Sequence, residues 1–239
     1  INGQTVNNHS KLHDVTGFIK EIRKTNGNRS LSNEEYRRDE LGLVHTTLQP
    51  HLDHLDDIYL IGYFQSEEYF IENKKNILKE LKPNIPKDKI FKIMKKKMVQ
   101  TNSVSLCIRM YEGMSDKARY KMGGLSTNEF YKRSINKILK KIKKPEFFVF
   151  SSKKENLTKI LKNFPILKKY KINLITKDTG FSNAYDNIWL LSHCKNHIIS
   201  NSTLYWWGAY FSAINYKNRI ICCANNFHNI DTCLNDWKT

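Results

Sequence analysis

Residues 197–209 read HIISNSTLYWWGA, and this stretch decides how the second half of the chain folds. The apolar residues 197–199 are typical of a buried strand, and an apolar helix follows directly from Leu204. The four residues between them are all small and polar: Ser200, Asn201, Ser202 and Thr203. One such residue is enough to cap a helix, so four in succession predict more than a cap. Backbone N–H groups, hydroxyls and the positive end of the helix dipole together predict an anion site.

The same alternation of strand and helix extends through the second half of the chain. Apolar strands are predicted at 104–109, 147–150, 172–175, 197–199 and 219–223. Helices are predicted between them at 130–142, 157–161, 185–194 and 204–214, and the last is apolar all round and therefore buried. This pattern indicates an α/β fold with a parallel sheet covered on both faces. Such sheets bind ligands at the carboxyl ends of their strands.

The amino-terminal part of the chain is less regular. Residues 1–57 are polar and weakly periodic, and no architecture is predicted for them. A short buried strand is predicted at 58–61, followed by a helix that Ser66 caps and that continues to Leu81. Residues 82–86, Lys-Pro-Asn-Ile-Pro, end this helix and are typical of a linker. We therefore predict an amino-terminal domain over residues 1–85 and an α/β domain over residues 86–239.

Four further residues at or near strand and helix ends are candidates for chemistry. Arg109 ends the strand 104–109, so its fork-shaped guanidinium would point into the expected crevice, where it suits a phosphate. Glu112 in the following loop is either a general base or a solvated acid. Ser151 follows the strand 147–150 at the same edge. Asp186 either caps or supports its helix, or accepts hydrogen bonds from a base or ribose.

Composition narrows the classes of partner. The formal net charge of +17 reflects either solvated lysine faces or an acidic partner, such as a phosphorylated donor, an anionic membrane or nucleic acid. Basic runs at 95–97 and 140–144 accompany helices with an apolar face, and no nucleic-acid motif is present, so nucleic acid is disfavoured. Neither a membrane-spanning run nor a leader is found. We expect a cytoplasmic protein, with peripheral attachment to the inner face of the membrane as an alternative.

Cysteine spacing and missing motifs limit the cofactors. Five cysteines without a CxxC pair predict buried free thiols in a reducing compartment. The chain contains no GxGxxG, no P-loop and no Asp-x-Asp at a strand end, so neither a dinucleotide fingerprint nor a metal–diphosphate motif is present. A diphosphate-binding enzyme of this kind would offset the negative charge with arginine and a helix N-terminus. We expect no metal and no cofactor.

Several blocks, in this order, resemble the bacterial α-1,2-fucosyltransferases of glycosyltransferase family 11. The most specific block is DNIWLLSHCKNHIISNSTLYWWGA at 186–209. The others are GYFQSEEYF at 62–70, VSLCIRMYE at 104–112, GG at 123–124 with FY at 130–131, FVFS at 148–151 and DW at 236–237. The resemblance covers residues 58–239.

This resemblance implies a GT-B-like arrangement of two Rossmann-like domains and the activity of a galactoside 2-α-L-fucosyltransferase. Such an enzyme transfers fucose from GDP-fucose to a hydroxyl of a glycan acceptor, in α-1,2 linkage to galactose, with inversion and without metal. By position, Arg109 would hold the donor diphosphate, residues 200–203 would line its phosphate, Ser151 would lie on the donor side, and Asp186 would belong to the nucleotide side. Glu112 stands where the family has an aspartate.

The chain departs from the family pattern at several positions. The family histidine is Cys107 here, its second arginine is Met110, and the first aspartate of FSDD is Ser152. The GGLGNQ block is absent from residues 1–57, which indicates a fragment, a reduced amino-terminal domain or a divergent relative. Two alternatives therefore stand beside the fucosyltransferase: a transferase that uses another nucleotide sugar, and a catalytically silent module that binds nucleotide sugars.

Overall fold

The structure, a computed structural model, describes residues 4–5, 19–24, 58–62, 66–121, 123–226, 232–234 and 237. Contacts divide the chain into two compact units. The first comprises Ile1–Lys74 and Phe227–Leu234, and the second comprises Lys75–Asn226 and Asn235–Thr239. The predicted domain boundary after residue 85 and the GT-B arrangement stay predictions. Of the closing Asp-Trp block, Asp236 lies outside the described residues.

The first unit contains a small antiparallel sheet. Its strands are β1 (Gln4–Thr5), β2 (Ile19–Lys24) and β3 (Ile58–Gly62), in the order β1-β2-β3. The register of β2 and β3 pairs Ile22 with Leu60 and shifts between Ile19 and Glu21. The strand predicted at 58–61 is confirmed.

The predicted helix from Ser66 to Leu81 is wrong in extent. A 3₁₀ turn covers Glu67–Tyr69, and helix α1 begins only at Lys74 and ends at Glu80. Asn73 directly precedes α1, and asparagine favours the position before a helix over the helix interior. No residue of α1 is buried, and Leu81, expected on the inner face, is 52% exposed. The apolar spacing in this segment therefore does not produce one continuous packed helix.

The second unit is built on the five-stranded parallel sheet that the sequence predicts. Its strands are β4 (Asn102–Ile108), β5 (Pro145–Ser151), β6 (Ile172–Ile175), β7 (Asn196–Ile199) and β8 (Ile221–Cys223). The strands lie in the order β6-β5-β4-β7-β8, and all four pairs are parallel. β5, β7 and β8 are buried along their whole length, as expected for a sheet that is covered on both faces.

Helices cover the two faces of this sheet. In chain order the helices of this unit after α1 are α2 (Lys89–Gln100), α3 (Asp116–Lys121), α4 (Asn128–Lys141), α5 (Glu155–Asn163), α6 (Ala184–Leu191) and α7 (Thr203–Asn215). The residues of α4 and α5 share one core cluster with Leu106, Val149 and Ile198. Crossovers between parallel strands are right-handed as a rule, and with this strand order the rule puts α6 and α7 on the opposite face. There α6 contacts both α7 and α2.

The close packing of α6 and α7 depends on Gly208. A Cβ atom at this position would lie 2.5 Å from the Cβ atom of Leu191 in α6. Most of α7 is buried, including Trp206, which confirms the prediction of a buried helix. None of the helices in the described part of the chain has the length and apolarity needed to span a lipid bilayer.

Candidate functional site

The candidate site lies where the strand order changes direction. From β4 the chain proceeds to β5 and β6 on one side, and then returns to β7 and β8 on the other side. The two loops after β4 and β7 therefore diverge and leave a crevice at the carboxyl edge, which is where open α/β sheets bind ligands. Arg109 follows β4, and residues 200–203 join β7 to α7. The structure thus brings the two strongest sequence candidates to one switch point.

Tyr111 links the two sides of this crevice. Its hydroxyl donates a hydrogen bond of 3.1 Å to the backbone carbonyl oxygen of Asn201. The Arg109 guanidinium carbon lies 4.8 Å from the centroid of the Tyr111 ring, which is within the range of a cation–π contact. The Arg109 side chain is exposed, and among the described residues no carboxylate lies within ion-pair distance of it. Its charge is therefore available to an anionic ligand.

The start of α7 carries the residues of the predicted anion site. Ser202 occupies the position before the first helical residue, but its side chain makes no capping hydrogen bond. Ser202 and Thr203 are half-buried, whereas Ser200 is fully buried and lies beside the Tyr131 hydroxyl. The hydroxyl of Ser202 and the first N–H groups of this 13-residue helix are thus the parts of the segment best placed to meet an anion.

Asn201 is engaged in holding the surrounding loops. Its side-chain amide donates to the carbonyl oxygens of Gly124, at 3.0 Å, and of Asn226, at 3.3 Å. The Asn226 amide in turn donates to the Gly123 carbonyl oxygen at 2.9 Å. Gly123 has a φ angle of +85°, and a Cβ atom there would lie 2.1 Å from the Asn226 carbonyl oxygen. A side chain at position 123 would therefore clash with the backbone beside the site, whereas at Gly124 only the φ angle of +74° favours glycine.

A hydrogen-bonded carboxylate lies on the β5 side of the crevice. Ser152 donates to Oε1 of Glu112 at 2.5 Å, and the Asn156 amide donates to the same oxygen at 2.6 Å. Asn156 also donates to the Ser151 hydroxyl at 2.8 Å. Burial alone would raise the pKa of Glu112, but the hydrogen bonds from Ser152 and Asn156, together with the charge of Arg109, outweigh it and the pKa is lowered. Glu112 is thus ionised at neutral pH and can accept a proton or bind a hydroxyl.

Tyr205 supports the crevice from within the fold. From the first turn of α7, its hydroxyl lies 3.2 Å from the carbonyl oxygen of Ile108 and 3.4 Å from that of Phe150. These carbonyl groups immediately precede Arg109 and Ser151. Burial raises the pKa of Tyr205 well above its ordinary value, so the hydroxyl stays protonated and can donate to them. Tyr205 therefore ties the helix start to the ends of β4 and β5.

Asp186 lies apart from these residues, in the first turn of α6. Asn183 caps that helix: its side chain accepts from the backbone N–H groups of Tyr185, at 2.9 Å, and of Asp186, at 3.3 Å. Asp186 is therefore not the cap, and it lines a cavity of about 360 Å³ together with Lys82, Tyr185 and Trp207. Trp207 is one helical turn beyond Thr203, so α7 carries both the anion site and a wall of the cavity.

The residue that replaces the family histidine belongs to the interior. Cys107 in β4 is fully buried, and burial raises the pKa of its thiol far above the usual range, so it is neutral. The backbone carbonyl of Cys107 accepts from the Tyr131 hydroxyl at 3.2 Å. No disulfide joins the described cysteines, which are Cys107, Cys194, Cys222, Cys223 and Cys233, and the first four of them are buried. Among the described residues no group of three or more His, Cys, Asp or Glu side chains could hold a metal ion.

Sequence reasoning missed Tyr111, Asn156 and Tyr205. Tyr111 and Tyr205 act on backbone groups 90 and 97 residues away, and no local pattern reports such contacts. Asn156 had a weak signal, since it is a polar residue directly before the predicted helix at 157–161 and four residues after Ser152.

Comparison with known proteins agrees with this arrangement. The chain matches the family model described as glycosyl transferase family 11 over residues 26–237. It is 32% identical over 159 residues to an alpha-1,2-colitosyltransferase of Escherichia coli, an alignment that covers 64% of this chain and 51% of that protein. The chain thus aligns with about half the length of this relative, and no solved structure matches it. With a match over most of its length, the chain belongs to glycosyl transferase family 11.

Proposed function

We propose that this chain is an inverting, metal-independent glycosyltransferase that moves fucose from GDP-fucose to a hydroxyl of a glycan acceptor, in α-1,2 linkage to galactose. One observation carries the proposal: Arg109 and the start of α7 face the same switch point of a parallel sheet, in a chain of family 11. The enzyme would need no cofactor besides its donor substrate.

The donor diphosphate would lie between Arg109 and the start of α7. An arginine fork and a helix N-terminus both stabilise phosphate, and both become more effective as negative charge grows on the leaving group. Ser202 would add a hydroxyl, and Ser151 would lie on the β5 side of the donor. This positive charge supports a reaction that does not depend on a divalent cation.

The nucleoside would occupy the cavity that Asp186 lines. A carboxylate accepts two hydrogen bonds side by side, which suits the adjacent N–H groups on the edge of guanine better than the edge of uracil. Tyr185 and Trp207 line the same cavity and offer aromatic faces to a planar base. These features support a guanosine diphosphate as the nucleotide part of the donor.

Glu112 would act as the general base. In this step the acceptor oxygen forms a bond to the anomeric carbon, while the bond from that carbon to the diphosphate oxygen breaks on the opposite face. The electron pair of the broken bond leaves with GDP, and the acceptor proton passes to the Glu112 carboxylate. The bonds from Ser152 and Asn156 hold Oε1 of Glu112 in place and keep the group ionised, so that Oε2 is the candidate proton acceptor.

A second candidate donor follows from the relative and from Cys107 and Met110. The similar Escherichia coli protein is named for colitosyl transfer, so an activated colitose is the first alternative to GDP-fucose. A third reading is a silent module that binds the donor without transfer. Single-turnover assays with both donors and a panel of glycan acceptors separate these functions. The silent module would bind a donor but form neither the glycosylated acceptor nor free nucleotide.

Calorimetric titration with GDP, GDP-fucose and UDP in the presence of EDTA tests the donor site. We expect binding of GDP that needs no metal and is lost in Arg109→Ala. Arg133→Ala removes an exposed arginine of α4 and serves as the matched control, with unchanged affinity expected. In transfer assays Arg109→Ala should lower kcat by about 10²–10³. Equal loss in both variants, or wild-type binding in Arg109→Ala, would refute the assigned role.

We extend the proposal to peripheral association with an anionic membrane. The net charge of +17 favours acidic surfaces as well as acidic substrates, and it is this charge that supports the extension.

A further inference from the structure

The second unit has one strongly basic end. Lysines precede every strand of the parallel sheet, and the strands all begin at the same edge, so these lysines gather at the end opposite to the candidate site. We call this surface the basic end. Its members are Lys95, Lys96, Lys97, Lys140, Lys141, Lys143, Lys144, Lys168, Lys169, Lys171, Lys195 and Lys217.

Most of this charge is exposed and poorly compensated. Lys95, Lys97 and Lys195 are half-buried, and the other lysines of the basic end are exposed. Glu146, at the start of β5, is the acidic side chain that the described residues place at this edge. It is buried, and it lies 3.5 Å from the Lys97 ammonium and 3.9 Å from that of Lys171. The remaining lysines therefore project a positive potential from this surface.

The acidic side chains of the unit concentrate at the other end. Helices that follow parallel strands run back along the sheet, so their first turns lie at the carboxyl edge. Glu129, Glu155 and Asp186 stand at such helix starts, and Glu112 lies in the loop after β4. Asp88 caps α2, which leads into β4. Lysines such as Lys153 and Lys177 also lie at this carboxyl edge, but the acidic side chains offset their charge there, whereas the described residues place one buried acid among the lysines of the basic end. A negatively charged surface would orient the unit with the basic end inward and the crevice outward.

Exposed apolar side chains lie among the lysines of the basic end. Val99 in the last turn of α2 is 40% exposed, Ile166 in the turn before β6 is 38% exposed, and Ile214 near the end of α7 is 46% exposed. A lipid surface accepts both features, because apolar side chains enter the headgroup region while lysine stems extend to the phosphates. Arg219 also precedes β8, but its guanidinium donates to the backbone carbonyl oxygens of Ala209 and Tyr210. The exposed cations of this end are therefore ammonium groups, which act as point charges and lack the arginine fork favoured in nucleic-acid recognition.

From the shared position of these lysines and apolar side chains, we propose that the basic end is a docking surface for an anionic lipid membrane. The proposal does not rest on the identity of the donor or the acceptor. In this orientation the candidate active site faces away from the lipid surface. Glycan acceptors that project from the membrane can reach the site there.

Vesicle cosedimentation of the full chain tests this surface. Vesicles of phosphatidylcholine with about 30% phosphatidylserine should bind the chain, pure phosphatidylcholine should not, and binding should fall steeply between about 0.1 and 0.5 M salt. Replacing Lys140, Lys141, Lys168 and Lys169 with Gln should weaken vesicle binding at least about tenfold. The matched control replaces Lys89, Lys153, Lys154 and Lys177 with Gln, which removes the same charge at the opposite end and should change binding less than about twofold.

The apolar side chains separate a membrane from nucleic acid. Ile166→Ser with Ile214→Ser keeps the net charge, so it should weaken vesicle binding while any binding to a DNA duplex is unchanged. Far-UV circular dichroism and urea unfolding check that each variant remains folded. Equal effects of the two lysine variants, binding to neutral vesicles as strong as to anionic ones, or DNA binding tighter than vesicle binding would each overturn the proposal.

Discussion

Gly208→Ala should destabilise the α/β unit, although alanine is the better helix former. An added Cβ atom would lie 2.5 Å from Leu191 Cβ and 2.8 Å from Leu191 Cδ1. Carbon atoms in contact prefer about 3.5–4.0 Å, so α7 would have to move away from α6 by roughly 1 Å. Both Cβ atoms are fixed to their backbones, which means that no change of rotamer relieves the closer contact.

Two free-energy terms of opposite sign decide the result. Overpacking of a core costs about 1–3 kcal/mol, while exchange of glycine for alanine inside a helix gains about 1 kcal/mol. Because the clash is between backbone-fixed atoms and Leu191 is fully buried, we place the cost in the upper part of its range. The net loss in the free energy of unfolding should be about 1–2 kcal/mol.

Urea unfolding followed by tryptophan fluorescence measures this loss, since Trp206 and Trp207 lie in α7 itself. Ala213→Gly, at an exposed position of the same helix, measures the propensity term separately and should cost about 1 kcal/mol. If Gly208→Ala is as stable as the wild type or more stable, while Ala213→Gly shows its expected cost, the packing argument is refuted. We also expect weaker GDP binding in Gly208→Ala, because α6 and α7 together wall the cavity at Asp186.

Three further predictions concern the crevice. Glu112→Gln should lower kcat by about 10²–10⁴ with donor affinity retained, whereas Glu129→Gln should not, and a parallel loss of GDP binding would argue against a base. Asn156→Ala removes a bond that lowers the pKa of Glu112, so the acid limb of the pH–rate profile should move to higher pH; an unmoved limb, as expected for the control Asn163→Ala, would contradict the role. Tyr205→Phe should cost about 1–2 kcal/mol in urea unfolding, since the carbonyl groups of Ile108 and Phe150 lose a donor; no change would show that the hydroxyl does not support these strand ends.

The sheet of the second unit was predictable because its strands are buried on both faces. A short continuous apolar run such as 147–150 is typical of a strand inside a parallel sheet. The observed strand, Pro145–Ser151, is three residues longer than this prediction. The segment 66–81 was predicted wrongly because its apolar spacing fits a helix, while the local preferences of Asn73 and the turn at Glu67–Tyr69 interrupt it. The local sequence pattern therefore predicted the fully buried strands correctly. It failed for segment 66–81, whose helix packs only partly against the rest of the unit.

Part of the candidate site was likewise predictable from local sequence, and part was not. Arg109 and residues 200–203 were predictable, because their position follows from the strand ends alone. The role of Asn201 was not, since its amide holds Gly124 and Asn226, 77 and 25 residues away. That Asp186 does not cap α6 also needed the structure, which places Asn183 at the cap, while a role of Asp186 toward a base or ribose stays a prediction. Functions that depend on pairing between distant loops leave no periodic signal in the sequence.

The departures from the family pattern leave fewer positively charged groups in the crevice. Cys107 is a neutral thiol in the interior, and Met110 packs against the core cluster, so neither replaces the side chain that the family has there. Of the arginines in the family block, Arg109 is the one that this chain keeps, and Tyr111 holds it beside the segment before α7. Stabilisation of a leaving diphosphate would then fall on one guanidinium and one helix start. On the proposed function, this chain should depend more strongly on Arg109 than a family member with both arginines does, because Met110 adds no cation to share the developing negative charge.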